Sequence, residues 1–226
     1  HYRFIFSYFQ KSIIEKNFLI TSKNFFIKMS EIQNHTSNRK FKQDNLIYLI
    51  NEEIKTASIF DGKSVNGDLI IQRSINIDSK EYIITNILKN AFETSNIKSI
   101  QFSADSDLRS IDDKAFYKSS IESLTIPPKL TNIGQYCFYF CQKLQKVEIP
   151  SNSSLKSIGN NSFFGTKIEY FTIPPHLTYI GESAFSHCCE LRMFEIPMHS
   201  ELRTIEKDAF YKTKIESISI PKNLIE

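Results

Sequence analysis

From about residue 84 a single template recurs along the chain, and a repeat constrains the fold more than any local propensity can. The template runs aliphatic, two polar positions, Ile, three variable positions, then a small residue followed by Phe. After a short link it closes on aliphatic–x–x–aliphatic–x–Ile–Pro. Leu130, Ile133, Cys137-Phe138, Leu144, Val147 and Ile149-Pro150 form one instance, and Leu177, Ile180, Ala184-Phe185, Leu191, Phe194 and Ile196-Pro197 form another. Units start at 84, 108, 130, 155, 177, 202 and 224, so successive differences are 24, 22, 25, 22, 25 and 22. After the first step the true period is a pair of units, 47 residues (130 to 177, 155 to 202). Two adjustments make the alternation. The turn after Pro is longer before Leu155 and Leu202, and the link from Phe to the next aliphatic is one residue longer in the third and fifth units.

A unit of 22–25 residues is too short to bury its own apolar face, so neighbours must stack into one continuous core. The last segment of each unit alternates, with Leu124 and Ile126 pointing one way and Ser123 and Thr125 the other. That is the period of a strand with one buried face. The Pro behind it offers no amide hydrogen and ends the pairing. Gly134, Gly159 and Gly181 follow the template Ile, where a Gly suits a bend. The small-Phe step predicts a short helical or irregular return with Phe filling the interior. The expected fold is a β-rich repeat solenoid with one parallel strand per repeat, about 30 Å long for six coils.

Cys141 and Cys188 each lie three residues after the template Phe, and Cys137 takes the small-residue slot. Coils three and five stand two strand spacings apart, roughly 10 Å and beyond disulfide reach. These cysteines therefore read as small buried packing groups.

The units resemble the BspA-like leucine-rich repeats, which read close to L-x-x-I-G-x-x-A-F-x-x-C-x-x-L-x-x-I-x-I-P. The match is strong over about residues 84–226, and the third to fifth units are close to it. Upstream, Leu46–Ile50 and Ile54–Phe60 resemble the paired strands of that family's β-hairpin N-terminal cap. Leu69 to Ile75 resembles a degenerate first coil, with Gln72 where the family often has Pro. The resemblance implies a right-handed coil and a cell-surface protein of a microbe or protist that contacts host or neighbouring cells.

Residues 1–28 show no sustained pattern, and Met29 is the first methionine. Arg3, Gln10, Lys11, Glu15, Lys16 and Lys23 interrupt every apolar run, so no signal peptide and no membrane span is read there. Two readings stand: a leader outside the folded unit, with its being native or not left open and Met29 as the start; or a damaged targeting sequence. The division is then 1–28 leader, 29–83 N-terminal segment with cap and first coil, and 84–226 solenoid. A stop just inside a seventh unit predicts a fragment of a longer repeat array.

A net charge of +3, with no Lys/Arg cluster on one element, gives no basis for nucleic-acid binding. The acidic pairs (Glu52-Glu53, Asp112-Asp113, Asp105 with Asp107) sit in turns or variable stretches, and no nucleophile elbow, phosphate loop or metal-ligand spacing occurs. His176, His187, Cys188, Cys189 and His199 fall within about one coil, but Cys188 belongs to the core template and ligand spacing is missing. The three N-x-S/T sequons (Asn34, Asn152, Asn160) are what this Asn, Ser and Thr content gives by chance. No catalytic residue, metal or cofactor is expected, and no enzyme.

Solenoids bind through extended surfaces, so the outward strand positions are the candidates. The first outward column is Ser99, Ser123, Lys146, Tyr170, Met193 and Ser217; the second is Gln101, Thr125, Glu148, Thr172, Glu195 and Ser219. The middle three units set Lys146, Tyr170 and Met193 beside Glu148, Thr172 and Glu195, and Tyr and Met are favoured at interface centres. The other reading is a wet face that merely tolerates amphipathic side chains. Function is expected to be non-enzymatic protein binding or adhesion at the cell surface, or alternatively an intracellular scaffold using the same face. Oligomeric state is not readable.

Overall fold

The computed structural model describes residues 38–218. The segment 1–28, Met29, the Asn34 sequon, Ser219, the last Ile220-Pro221 and Leu224 lie outside the described residues. The chain forms a β-solenoid of about six turns, and its strands follow in order. They are β1 (Asn38–Gln43), β2 (Leu46–Asn51), β3 (Thr56–Asp61), β4 (Asn66–Ile71), β5 (Ser74–Ile77), β6 (Lys80–Ile87) and β7 (Asn96–Phe102). The coils proper add β8 (Ser110–Ile111), β9 (Ser123–Thr125), β10 (Asn132–Ile133), β11 (Lys146–Glu148) and β12 (Ser157–Ile158). The last are β13 (Tyr170–Thr172), β14 (Tyr179–Ile180), β15 (Met193–Glu195) and β16 (Thr204–Ile205).

One strand per repeat is corrected to two. The short strands β6, β8, β10, β12, β14 and β16 stack in parallel as one column, with Ile111, Ile133, Ile158, Ile180 and Ile205 in register. The alternating segments β4, β7, β9 and β11 stack as a second column, and β13 and β15 form a separate pair. The first column hides in sequence because β8, β10, β12, β14 and β16 are two residues long with a single inward Ile each, too short a stretch for a period of two to register.

The helical element of the return is also corrected: among the described residues there is no helix, and each return is a run of turns. Backbone conformation supplies the reason. Two residues per coil, four apart, adopt the left-handed region: Asn90 and Thr94, Lys114 and Lys118, Tyr136 and Phe140, Asn161 and Gly165, Ser183 and His187, Asp208 and Lys212. A helix needs right-handed dihedrals throughout. The twist turns every second amide toward the next coil. Lys114, Phe116 and Lys118 donate to the carbonyls of Gln135, Cys137 and Tyr139 at 2.9 Å each, and the same three positions do so at every step. The intervening amides close i→i−3 turns, as Ala115 does onto Asp112. The return is thus a third ladder joining coil to coil, and its amides are not free for a helix.

The core runs along the axis as stacked columns. Phe92, Phe116, Phe138, Phe163 and Phe185 stack with neighbouring centroids 4.9–5.2 Å apart and interplanar angles of 12° or less, and Phe210 continues the column. Phe92 to Phe185 are fully buried. Gly134 and Gly181 sit where coils approach most closely. A Cβ at Gly134 would lie 2.5 Å from the Asp112 carbonyl carbon, and one at Gly181 2.6 Å from the Asn160 amide nitrogen. Neither has a positive φ, so close approach, not a bend, requires these glycines.

At the N-terminal end β1, β2 and β3 form an antiparallel meander, and β3 then pairs in parallel with β6 (Ala57 with Ile84, Ile59 with Ile87). β4 pairs with β7, Leu69 opposite Ile100, so the segment from Leu69 enters the second column.

Candidate functional site: the ladder face and its cleft

The strands of the second column have Val147, Phe171 and Phe194 buried, with an exposed residue on either side of each. That alternation carries all six candidate side chains outward. β9–β11 pairing sets Lys146 opposite Ser123 and Glu148 opposite Thr125; β13–β15 pairing sets Tyr170 opposite Met193 and Thr172 opposite Glu195. Tyr170 is 50% exposed and Met193 63%. Lys146 Nζ lies 2.6 Å from Glu148 Oε1. That bond raises the Lys146 pKa, and together with the Thr125 hydroxyl it holds the Glu148 carboxyl below the usual range. The same hydroxyl-to-carboxylate contact recurs one double coil later: Thr125 donates to Glu148 at 3.2 Å and Thr172 to Glu195 at 3.0 Å. Among the described residues Glu195 forms no ion pair.

The six residues do not form one unbroken ladder. β11 and β13 are not hydrogen-bonded to each other. A cleft of about 470 Å³ opens between them, lined by Glu148, Tyr170 and Thr172 from the candidate set, with Pro150, Pro174, Pro175 and Pro197. The coils stay tied on both sides of it, by the Lys167 amide on the Leu144 carbonyl and the Thr178 amide on the Lys156 carbonyl, each at 2.9 Å. Met193 lines a second opening with Arg192, Lys214 and Glu216, two coils further on. The prolines were the part of the site that sequence reading treated only as strand stops. Pro174-Pro175 beside the alternating turn lengths was the available signal.

The remaining polar candidates take structural places. Asp107 accepts from Arg73 Nε at 2.8 Å and Lys129 Nζ at 2.5 Å. The Asp112 carboxylate accepts from the Ser110 hydroxyl, and that of Asp113 from the Gln135 amide. Cys141 and Cys188 are buried, their thiols donating to the Phe116 and Phe163 carbonyls at 2.9 and 3.0 Å. Burial pushes these thiols up to about 12 and about 11. His176 pairs with Glu201, and His187 packs on Phe164 and Tyr211. Asn160 Oδ1 accepts from the Glu182 amide, whereas Asn152 is exposed.

Two stacked parallel columns, a turn ladder and an axial Phe core define a leucine-rich-repeat solenoid. The sequence matches the BspA type leucine rich repeat region in six copies, over residues 68–151 and 109–226, and the chain belongs to that family. Among solved structures it is similar to a leucine-rich repeat protein from Bacteroides ovatus, at 27% identity and a TM-score of 0.69. That match covers 81% of this chain and 48% of the other, so the chain spans about half the length of that relative. The pneumococcal vaccine antigen PcpA is similar at 20% identity, TM-score 0.59, with 83% and 71% covered, and a T. pallidum leucine-rich repeat protein at 19%, TM-score 0.57, with 71% and 72% covered. These two likenesses concern the fold. No curated protein matches.

Proposed function

We propose that this chain is a non-enzymatic protein-binding module of the cell surface, attaching to host or neighbouring cells through the ladder face of its middle coils. Proteins built from such repeats generally act as binding scaffolds, and the family is typically surface-associated. The observation that carries the reading is Tyr170 beside Met193. Two large, exposed side chains stand in register on the middle coils amid Thr and charge, while the same face carries an exposed Ile70 near its N-terminal end. Aromatic and Met side chains of this kind anchor interfaces, while Lys146, Glu148, Thr172 and Glu195 supply the polar surround. Residues 38–83 act as the cap, with β1–β3 covering the first core layer and the Lys-bearing β1 facing outward as a blunted edge. Among the described residues no helix is long and apolar enough to cross a membrane.

Two measurements test this. Labelling of intact cells should find the protein at the surface; a purely cytosolic signal sinks the adhesion reading. Tyr170→Ala with Met193→Ala should weaken attachment to cells while leaving thermal stability within about 0.5 kcal/mol, as expected for exposed positions.

A further inference from the structure

The wall chemistry of the cleft between β11 and β13 selects its occupant. One wall runs from Val147 to Ser151 and the other from Tyr170 to Pro175. Five residues of strand span roughly 16 Å. A side chain inserted singly would leave most of that length empty, so an extended segment fits better. A β-strand does not fit. Pairing would need amide donors along both walls, and Pro150, Pro174 and Pro175 have none. The ties at Leu144–Lys167 and Lys156–Thr178 also keep the coils from separating by the two ladder spacings that an inserted strand requires. On the walls themselves the Glu148 carbonyl and the Ile173 amide are already taken, by the Ile126 amide and the Glu195 carbonyl.

A polyproline II segment needs no ladder, and its five residues extend about 15 Å. Its rings pack on an aromatic edge and on other prolines, as Tyr170, Pro150 and Pro174 offer here. Charge narrows the choice further. The ionised residue lining the cleft is Glu148, whose carboxylate engages Lys146. On the adjoining strand the Glu195 carboxylate, in no ion pair among the described residues, stands beside the lining Thr172 and accepts from its hydroxyl. Both carboxylates accept hydrogen bonds and cannot donate. We propose that this cleft seats a short polyproline II segment of a proline-rich, basic protein partner, its prolines between Tyr170 and the proline walls and its cation on the rim carboxylates. The assignment rests on the binding-module reading and names that module's partner class.

The test uses three fluorescent twelve-residue peptides and the full chain. The first repeats Pro-Pro-Arg, the second Pro-Pro-Glu, and the third Gly-Ser-Arg. Anisotropy should show saturable binding of the first alone, weakened at least tenfold by Tyr170→Ala or by Glu148→Gln and unchanged by Lys114→Ala on the return. Amide NMR on the unsubstituted chain should place the perturbed resonances at Val147, Tyr170 and Thr172, independently of how any variant folds. Equal binding of the Gly-Ser-Arg peptide, no binding of the Pro-Pro-Arg peptide, or perturbations elsewhere overturns the assignment. If cell attachment still depends on Tyr170 and Met193 in that case, the polyproline occupant alone is rejected and the binding module stands.

Discussion

Thr94 is a β-branched residue in the left-handed region, at φ 56° and exposed. That conformation costs a non-Gly residue on the order of 1 kcal/mol, and it persists because the Thr94 amide must reach the Tyr117 carbonyl at 2.8 Å. Thr94→Gly should therefore stabilise by up to about 1 kcal/mol, read as a melting shift of roughly 2–4 °C. Gly134→Ala goes the other way. Its Cβ meets the Asp112 and Asp113 backbone, which cannot rotate aside, so a loss of about 1–3 kcal/mol is expected in denaturant titration. Template identity was legible at both positions, but its cause was not. A letter pattern says that Gly recurs after Ile; only neighbouring coil backbone says that space, and not φ, demands it.

The buried thiols and the ion pairs act at the scale of the coil. Cys137, Cys141 and Cys188 are buried and their thiol pKa values raised, whereas Cys189 is exposed. A thiol reagent at pH 8 should modify one cysteine in the native chain and four in denaturant; more than one in the native chain would show that the return ladder opens readily. Asp107 joins coils through Lys129 and Arg73, and those two bonds lower its pKa. A depressed carboxyl stabilises above its unfolded pKa of about 3.9 and loses that contribution as pH falls through its folded value. Asp107→Asn should flatten the acid limb of the stability profile below about pH 4. The second-column strands were readable from the alternation around Leu124 and Val147. The first column was not, since Ser157-Ile158 and its equivalents gain strand geometry only by pairing with the next coil.

Over the whole molecule the unit of construction is the double coil. Buried Ser106, Ser153 and Ser200 recur every 47 residues, each hydroxyl accepting from the amide two residues on. The cleft lies where the longer step follows β11. Deleting residues 130–176, one whole double coil, should leave a folded solenoid whose m-value falls with the surface removed. Deleting residues 155–176 alone should be more damaging for its size, because two coils of the long-turn type would then be stacked together. Circular dichroism and urea unfolding of both deletions check this; equal stability per residue would show that single coils are interchangeable.

Periodicity by itself determined the solenoid, its six coils, the buried Phe and aliphatic columns, and which side chains face outward. A period states what repeats, and stacking is the only way such short units can bury an apolar face. Tertiary structure decided the first strand column, the turn ladder in place of a helix, and the break between β11 and β13. Each depends on where an amide finds its acceptor in the neighbouring coil, and that choice is made through space, 22–25 residues away along the chain.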